Sequence, residues 1–417
     1  LDVLPGTSHD AWLGSALNPD LESNLGLEPN LVRVNADDVW GLGYTGQGVV
    51  VAGADTGYEW DHPALRVQYR GWDGKAVTHD YNWHDAIQSD GGLCGPASPE
   101  PCDDHGHGTH TMGTILGDDG ASVRDGSHEN GSHEARRNQI GMAPSARWIG
   151  CRNMNVGHGT PATYIDCFEF FLAPYPVGGT PDQGDPVLAP HVVNNSWSCP
   201  ASEGCDASTL EAAVEALRKA GIVVVASATN RGPQCSTISD PPALYKQSFT
   251  VGAFAHRTDQ VAGFSARGSF TYDGKSYINP DIAAPGVNVR SCVPDDGYGF
   301  SSGTSMAAPH VTGAVALLLS AAPSFSGEVD AIEQTLTRTA QPRADGQCGD
   351  PRTPNNVWGW GALDALAAVK SATAGSLQGR VTDQASGQGI QGTKVTAEHH
   401  ASPGAGSEAT SAPTGHY

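Results

Sequence analysis

The sequence predicts an α/β protein built on a doubly wound, mostly parallel sheet flanked by helices. Three observations carry that prediction. Short, continuous β-branched runs recur along the chain, as expected of strands buried on both faces. Segments of helical pattern lie between them, so that strand and helix alternate. The first of the runs ends in Asp-Thr-Gly, where the carboxyl end of a parallel strand would meet a functional loop.

The first strand is read from "GVVVAGADTG" (48–57). Further strands are read from "ARWIGCRN" (146–153), "HVVNNSW" (191–197), "GIVVVASA" (221–228) and "SFTVGAF" (248–254). The intervening helices are "TYIDCFEFFL" (163–172) and "ASTLEAAVEALRKAG" (207–221), the second with residues suited to cap its start. Near residue 300 a glycine-rich loop gives way to "GTSMAAPHVTGAVALLLSAAP" (303–323). Its apolar run, Val311 to Leu319, reads as a buried helix and is shorter than the roughly 18 residues of a membrane span. With a helix starting near Ser305, Pro309 falls in or just past the first turn, where its missing N–H costs least. Taken alone, Ser305 reads as a helix cap as readily as anything chemical.

Before this body, residues 1–27 lack periodicity and read as an extension or a pro-segment remnant. Beyond "GWGALDALAAVKSA" (359–372), residues 375–400 alternate apolar and polar positions between glycine-rich turns, as exposed antiparallel strands do. About 40 residues are too few to bury a core of their own. This tail resembles the opening of the carboxypeptidase-regulatory type of β-sandwich module. The main body is therefore expected over residues 28–372 and a partial β module over 375–417.

Twenty-three basic against 45 acidic residues give a net charge of −22, which argues against nucleic acid or an anionic membrane as partner. A chain that starts at Leu1 without a leader is expected to be a processed form, secreted and extracellular. Nine cysteines leave at least one unpaired. Cys94 and Cys102, and likewise Cys199 and Cys205, flank short proline-bearing loops and are expected to form local disulfides in an oxidising compartment. Zinc is the competing reading, but the chain has no Cys-x-x-Cys pair.

Three motifs carry chemistry. "DTG" puts Asp55 at a strand end, while "HGTHTMGTILG" and "GTSMAAP" put His107 and Ser305 at the starts of small-residue helices. A serine hydroxyl attacks only when a base takes its proton, and the base needs an anion to hold its tautomer. With "YRGWDG" (69–74), "YNWHDA" (81–86), "NQIGMAP" (138–144) and "PDIAAPGVNVRS" (280–291), these motifs make residues 28–372 resemble the subtilisin-like serine proteases, in their bacillopeptidase F-like branch. The resemblance implies Asp55, His107 and Ser305 as the triad of an endopeptidase that works through an acyl-enzyme. It implies Asn230 as oxyanion donor, supported by the Thr304 hydroxyl. It implies substrate pairing as an added strand along Gly157, His158 and Gly159 and along Ser196, Trp197 and Ser198. Protein or peptide substrates, a monomer and no catalytic cofactor follow from the same resemblance.

"DDHGHGTH" (103–110) also offers His105 and His110, and three histidines could be read as metal ligands. That reading leaves the serine motif unexplained, so His110 is taken as a packing or hydrogen-bonding residue and no metal ligand is assigned. A structural calcium is common in the family, yet Ala64 stands where one family site has aspartate, so that site is expected to be absent. The acidic loop "GDDG" (117–120) reads as solvated. The specificity pocket departs from the family pattern, with Thr229 and Ser198 standing where glycine is usual, beside Ala228. Asp240 falls where the family places the base of that pocket. A carboxylate there would favour Arg or Lys before the cut bond, unless it merely opens the turn before Pro241 and Pro242.

Overall fold

The β-branched runs become strands of one parallel sheet because apolar side chains on both of their faces need cover. Val51, Val192, Val223 and Val225 enter one apolar cluster, whereas Ala52, Ala54, Val193 and Val224 enter another on the opposite side. The computed structural model describes residues 27–120, 138–272, 275–374, 381–383, 386, 388, 390–398 and 406–410. The extension read over residues 1–27 lies almost wholly outside them.

Two short helices, α1 (Pro29–Arg33) and α2 (Ala36–Gly41), precede β1 (Val50–Asp55), β2 (Trp83–Asp85), α3 (His107–Leu116) and β3 (Arg147–Arg152). A tight hairpin, β4 (Met154–Asn155) and β5 (His158–Gly159), then leads into α4 (Pro161–Leu172). Next come β6 (Val192–Asn195), α5 (Glu211–Lys219), β7 (Val223–Ser227), β8 (Phe249–Ala255) and β9 (Gln260–Val261). A small hairpin of β10 (Phe270–Tyr272) and β11 (Lys275–Tyr277) precedes β12 (Ile282–Pro285). A second hairpin, β13 (Val289–Val293) and β14 (Gly297–Ser301), delivers the chain to α6 (Thr304–Ala321), followed by α7 (Val329–Thr339) and α8 (Ala365–Thr373).

The sheet order is β12-β8-β7-β6-β1-β3-β2, parallel along this path, with β9 added antiparallel to β8. β3 and β2 lie on one side of β1 and the later strands on the other, so the carboxyl end of β1 is a topological switch point. Asp55 is the last residue of that strand and sits opposite Arg152 of β3. One face is covered by residues of α3, α6, α7 and α8, the other by residues of α4 and α5.

One helix start differs from its sequence reading and another matches it. α5 begins at Glu211 rather than at the Ser/Thr run, because Asp206 gathers Ser208 and Thr209 into a separate turn. α6 reaches back to Thr304, with Pro309 inside it, and residues 304–319 are buried. Its length and apolar character would suit a membrane span, but here it is the central helix of the core.

The described residues fall into two compact units that part between Ala372 and Thr373. In the second unit, β15 (Lys394–Glu398) pairs antiparallel with β16 (Gly406–Thr410). The other residues of the proposed β module lie largely outside the described residues.

Four disulfides form: Cys94–Cys102, Cys199–Cys205, Cys151–Cys167 and Cys235–Cys348. The first two are the local pairs expected from spacing. Cys292 is free and buried. The Cys235–Cys348 link closes 113 residues, and loop-closure entropy grows with that span. Replacing both of its cysteines with serine should cost about 4–5 kcal/mol, against about 2 kcal/mol for the Cys199–Cys205 pair, which closes only 6. Guanidinium unfolding of the two double variants would measure the difference, and equal losses would contradict it.

Candidate active site

Asp55 and His107 meet at the carboxyl end of β1. His107 Nδ1 lies 2.7 Å from Asp55 Oδ1, with both side chains nearly inaccessible to water. The carboxylate also accepts from the Thr56 backbone N–H at 2.8 Å and from the Thr111 hydroxyl at 3.4 Å. With Nδ1 committed to Asp55, the second ring nitrogen of His107 is the one left to exchange a proton.

The start of α3 is held by Asp103, which the sequence reading did not single out. Its carboxylate accepts from the backbone of His105 (3.1 Å), Gly106 (2.8 Å) and Thr109 (2.9 Å), and from the hydroxyls of Thr56 (2.8 Å) and Thr109 (2.6 Å). An acidic residue just before a helix start is the signal that could have found it, since it answers the unpaired N–H groups there.

Ser305 occupies the second position of α6, where helix geometry gives its N–H no acceptor within the helix. The capping reading fails, because the Ser305 hydroxyl reaches across to β6 and donates to the Ser196 carbonyl at 2.9 Å. In return the Ser196 hydroxyl donates to the Ser305 carbonyl at 2.8 Å while accepting from Asn194 Nδ2. Two hydrogen bonds therefore lock Ser196 to Ser305, and no bond joins the Ser305 hydroxyl to His107 in this arrangement. Catalytic hydrogen bonds of this kind commonly close only around substrate.

Asn230 lies beside them. Its Oδ1 accepts from the Thr304 N–H at 2.9 Å and the Thr304 hydroxyl at 3.0 Å. A backbone N–H can only donate, so these bonds fix Oδ1 toward α6 and make the other end of the amide the donor. Ser196, Trp197, Ser198, Ser227, Thr229, Asn230, Thr304 and Ser305 line a narrow recess, in which side-chain hydroxyls predominate. Thr229 adopts φ +78°, and its hydroxyl is buried without a hydrogen-bond partner. A β-branched residue there is strained by about 1–3 kcal/mol, which accounts physically for glycine being usual at this position.

The two proposed substrate edges share one aromatic support. Tyr164 stacks on Trp197 with ring centroids 4.0 Å apart, and a Cβ on Gly159 would lie 2.4 Å from the Tyr164 ring. The Trp197 side chain points inward, donating to the Ala54 carbonyl at 2.9 Å, so that residue can serve a substrate only through its backbone. His158 is exposed, and Gly157 has φ +82°.

Ala228 and Asp240 do not line the recess. Ala228 is buried against Ala226, Ile238, Ala243 and Ala266, with its N–H on Val251. Asp240 is paired with Arg231 at 2.6 Å. The arrangement therefore offers substrate no unneutralised carboxylate at that position.

His110 is fully buried near the Val289 carbonyl, at 3.2 Å, and burial lowers its pKa to about 3. Desolvation also holds His105 down, at about 4. Among the described residues no group of three His, Cys, Asp or Glu side chains could hold a metal ion.

Comparison with known proteins gives one result. A sequence model of the subtilase family matches residues 46–361. The chain is 40% identical over 363 residues to Bacillopeptidase F of Bacillus subtilis (strain 168), a match covering 84% of this chain and 22% of that protein. It therefore spans about a fifth of that relative's length. Subtilisin BL of Lederbergia lenta is 32% identical over 342 residues, covering 81% of this chain and 97% of that one. Subtilisin Savinase of the same organism matches to the same extent.

The buried histidines set an acid limit. His110 and His310 are both held near 3 by burial, against an ordinary value of 6.5. The unfolded chain takes up these protons first, so their share of stability is whole above about 6.5 and is lost as pH falls toward 3. The difference in unfolding free energy between the parent and His310→Gln should narrow steadily from pH 7 to pH 4. A constant difference across that window would refute the burial argument.

Proposed function

The chain belongs to the subtilase family, and from that premise we propose a secreted serine endopeptidase that cleaves extended protein or peptide chains through an acyl-enzyme on Ser305. The observation that carries this reading is the water-excluded Asp55–His107 contact at a strand end, joined through Ala54 and Trp197 to the recess lined by Ser305 and Asn230. The four disulfides support an extracellular setting.

The chemistry starts with rotation of the Ser305 hydroxyl from the Ser196 carbonyl to the free nitrogen of His107. That nitrogen takes the proton as Oγ bonds to the scissile carbonyl carbon, and Asp55 stabilises the imidazolium. The carbonyl oxygen gains the charge and meets the Asn230 amide and the Ser305 N–H, both positioned before reaction begins. Collapse breaks the C–N bond, and His107 protonates the departing amine. Water then repeats the sequence on the ester and restores Ser305.

Ser305→Ala should lower kcat by several powers of ten with the fold intact, an expectation whose size comes from subtilisin itself. Asn230→Ala should cost roughly 2.7–4 kcal/mol of transition-state stabilisation, a range also set by subtilisin. Near-normal peptidase activity in the serine variant, or an asparagine effect confined to KM, would count against these roles.

The narrow, hydroxyl-lined recess and the Arg231–Asp240 pair favour small residues before the cut bond over Arg or Lys. Thr229→Gly removes the strained side chain, so it should broaden the profile of a peptide library toward larger residues. An unchanged profile would mean that Thr229 does not limit the pocket.

A further inference from the structure

Arg152 is the last residue of β3, beside Asp55 in the sheet, and it is wholly buried. A guanidinium cannot shed its charge, so burial has to be answered by partners. Arg152 meets the Asp104 carboxylate and, at 3.1 Å, the Asp85 carboxylate. It also donates to the carbonyls of Gly91 (2.7 Å) and Gly95 (3.0 Å) and to Asn155 Oδ1 (3.2 Å). Asp85 ends β2, and the other partners belong to two segments. One is the loop from β2 to α3 that carries the Cys94–Cys102 disulfide, and the other is the β4–β5 hairpin whose second strand is the proposed substrate edge.

The turn of that hairpin is strained. Val156 and Gly157 both have positive φ, +48° and +82°, as a two-residue turn of this hand requires. Glycine accepts this, but a β-branched valine does not, and such a conformation persists only where its surroundings over-determine it. The Val156 N–H is held at 3.0 Å by the same Asp104 carboxylate that faces Arg152. Asn155 is fixed from its other side by the Asp90 carbonyl at 2.9 Å.

We propose that Arg152 is a positioning residue for extended substrates: through Asp104 and Asn155 it holds the strained turn that sets the height of the Gly157–Gly159 edge. The inference rests on the reading of that edge as a substrate-pairing strand. A long peptide would then depend on Arg152, whereas a substrate confined to the Ser305 recess would not.

The test compares kcat/KM on a tetrapeptide anilide with kcat/KM on a single-residue ester, for the full chain and for Arg152→Lys. Lysine keeps the charge but cannot fork between two carboxylates and the carbonyls. The expected result is a fall of ten-fold or more in the ratio of long to short substrate, carried mainly by KM. Ester turnover and the rate of Ser305 labelling by a serine-directed reagent should stay within about two-fold. Adding Val156→Asn, a residue that tolerates positive φ, should recover part of the ratio. If Arg152→Lys does not fold, Asp104→Asn keeps an acceptor for Val156 and should shift the ratio the same way. Equal losses on both substrates, or an unchanged ratio in a folded variant, would overturn the proposal. A parent enzyme with no preference for the longer substrate would overturn the edge reading and this inference together.

Discussion

The site depends on how closely α3 and α6 pack on one face of the sheet. His107 stands first in α3 and Ser305 second in α6, so the distance between the proposed base and nucleophile is set by packing rather than by a flexible loop. Small residues make that packing feasible. A Cβ on Gly313 of α6 would stand 2.3 Å from Met142 and 3.0 Å from the Ile115 carbonyl of α3, so nothing larger fits without moving α6 or the Met142 segment. Both helices are also tied to the strands. α3 is held through Asp103 and Thr56, and α6 through Ser196 and through Thr312, which donates to Asn194.

Much of this was legible because it is local. A buried parallel strand announces itself as a continuous apolar run, and the residue at its carboxyl end is fixed by where the run stops, so β1 and Asp55 could be read together. The starts of α3 and α6 were marked by glycine and small hydroxyl residues. What stayed hidden depends on distant pairing. Nothing local marks Arg152 within its predicted strand, since Asp85 and Asp104 meet it from elsewhere in the chain. Cys151–Cys167 and Cys235–Cys348 join elements that spacing does not bring together. Asp240 was read either as a pocket carboxylate or as the opener of the turn before Pro241, and no local rule shows that Arg231 pairs with it. The inward turn of Trp197 likewise follows from distant partners, the Ala54 carbonyl of β1 and the Tyr164 ring of α4.

Charge is arranged to match. The chain is strongly acidic, yet the partners of the buried ionic groups are specific rather than diffuse. The Asp55 carboxylate is met by His107, the Thr56 N–H and the Thr111 hydroxyl, and Arg152 is met by two carboxylates. Removing one partner of a buried pair leaves a charge with no solvent and costs about 3–5 kcal/mol. That penalty enforces geometry on both segments it joins. In a protein with 45 acidic residues, a single buried cation can therefore organise two of them, together with the carbonyls of a disulfide loop.

The sheet also separates two tasks. The helices that carry His107 and Ser305 pack into the apolar cluster on one face, with Met112, Ile115 and the length of α6. The proposed substrate edges hang on the other face, where Met154, Tyr164 and Trp197 share a second cluster with α4 and α5. A change in the edge cluster can reach Ser305 directly through Ser196, whereas its route to Asp55 runs through strands bonded to parallel neighbours on both sides. Asp55 stands at the junction, with its side chain on His107 and its backbone between β3 and β6. The carbonyl of Asp55 accepts from Asn153, one residue past Arg152, at 2.9 Å. The Gly157–Gly159 edge is thereby registered to Asp55 through the end of the β1–β3 ladder, while the turn of its hairpin is held by Asp104. Asp104 holds that turn from the position next to Asp103, which holds the start of α3, so the hairpin and the helix that carries His107 are fixed from adjacent residues of one loop.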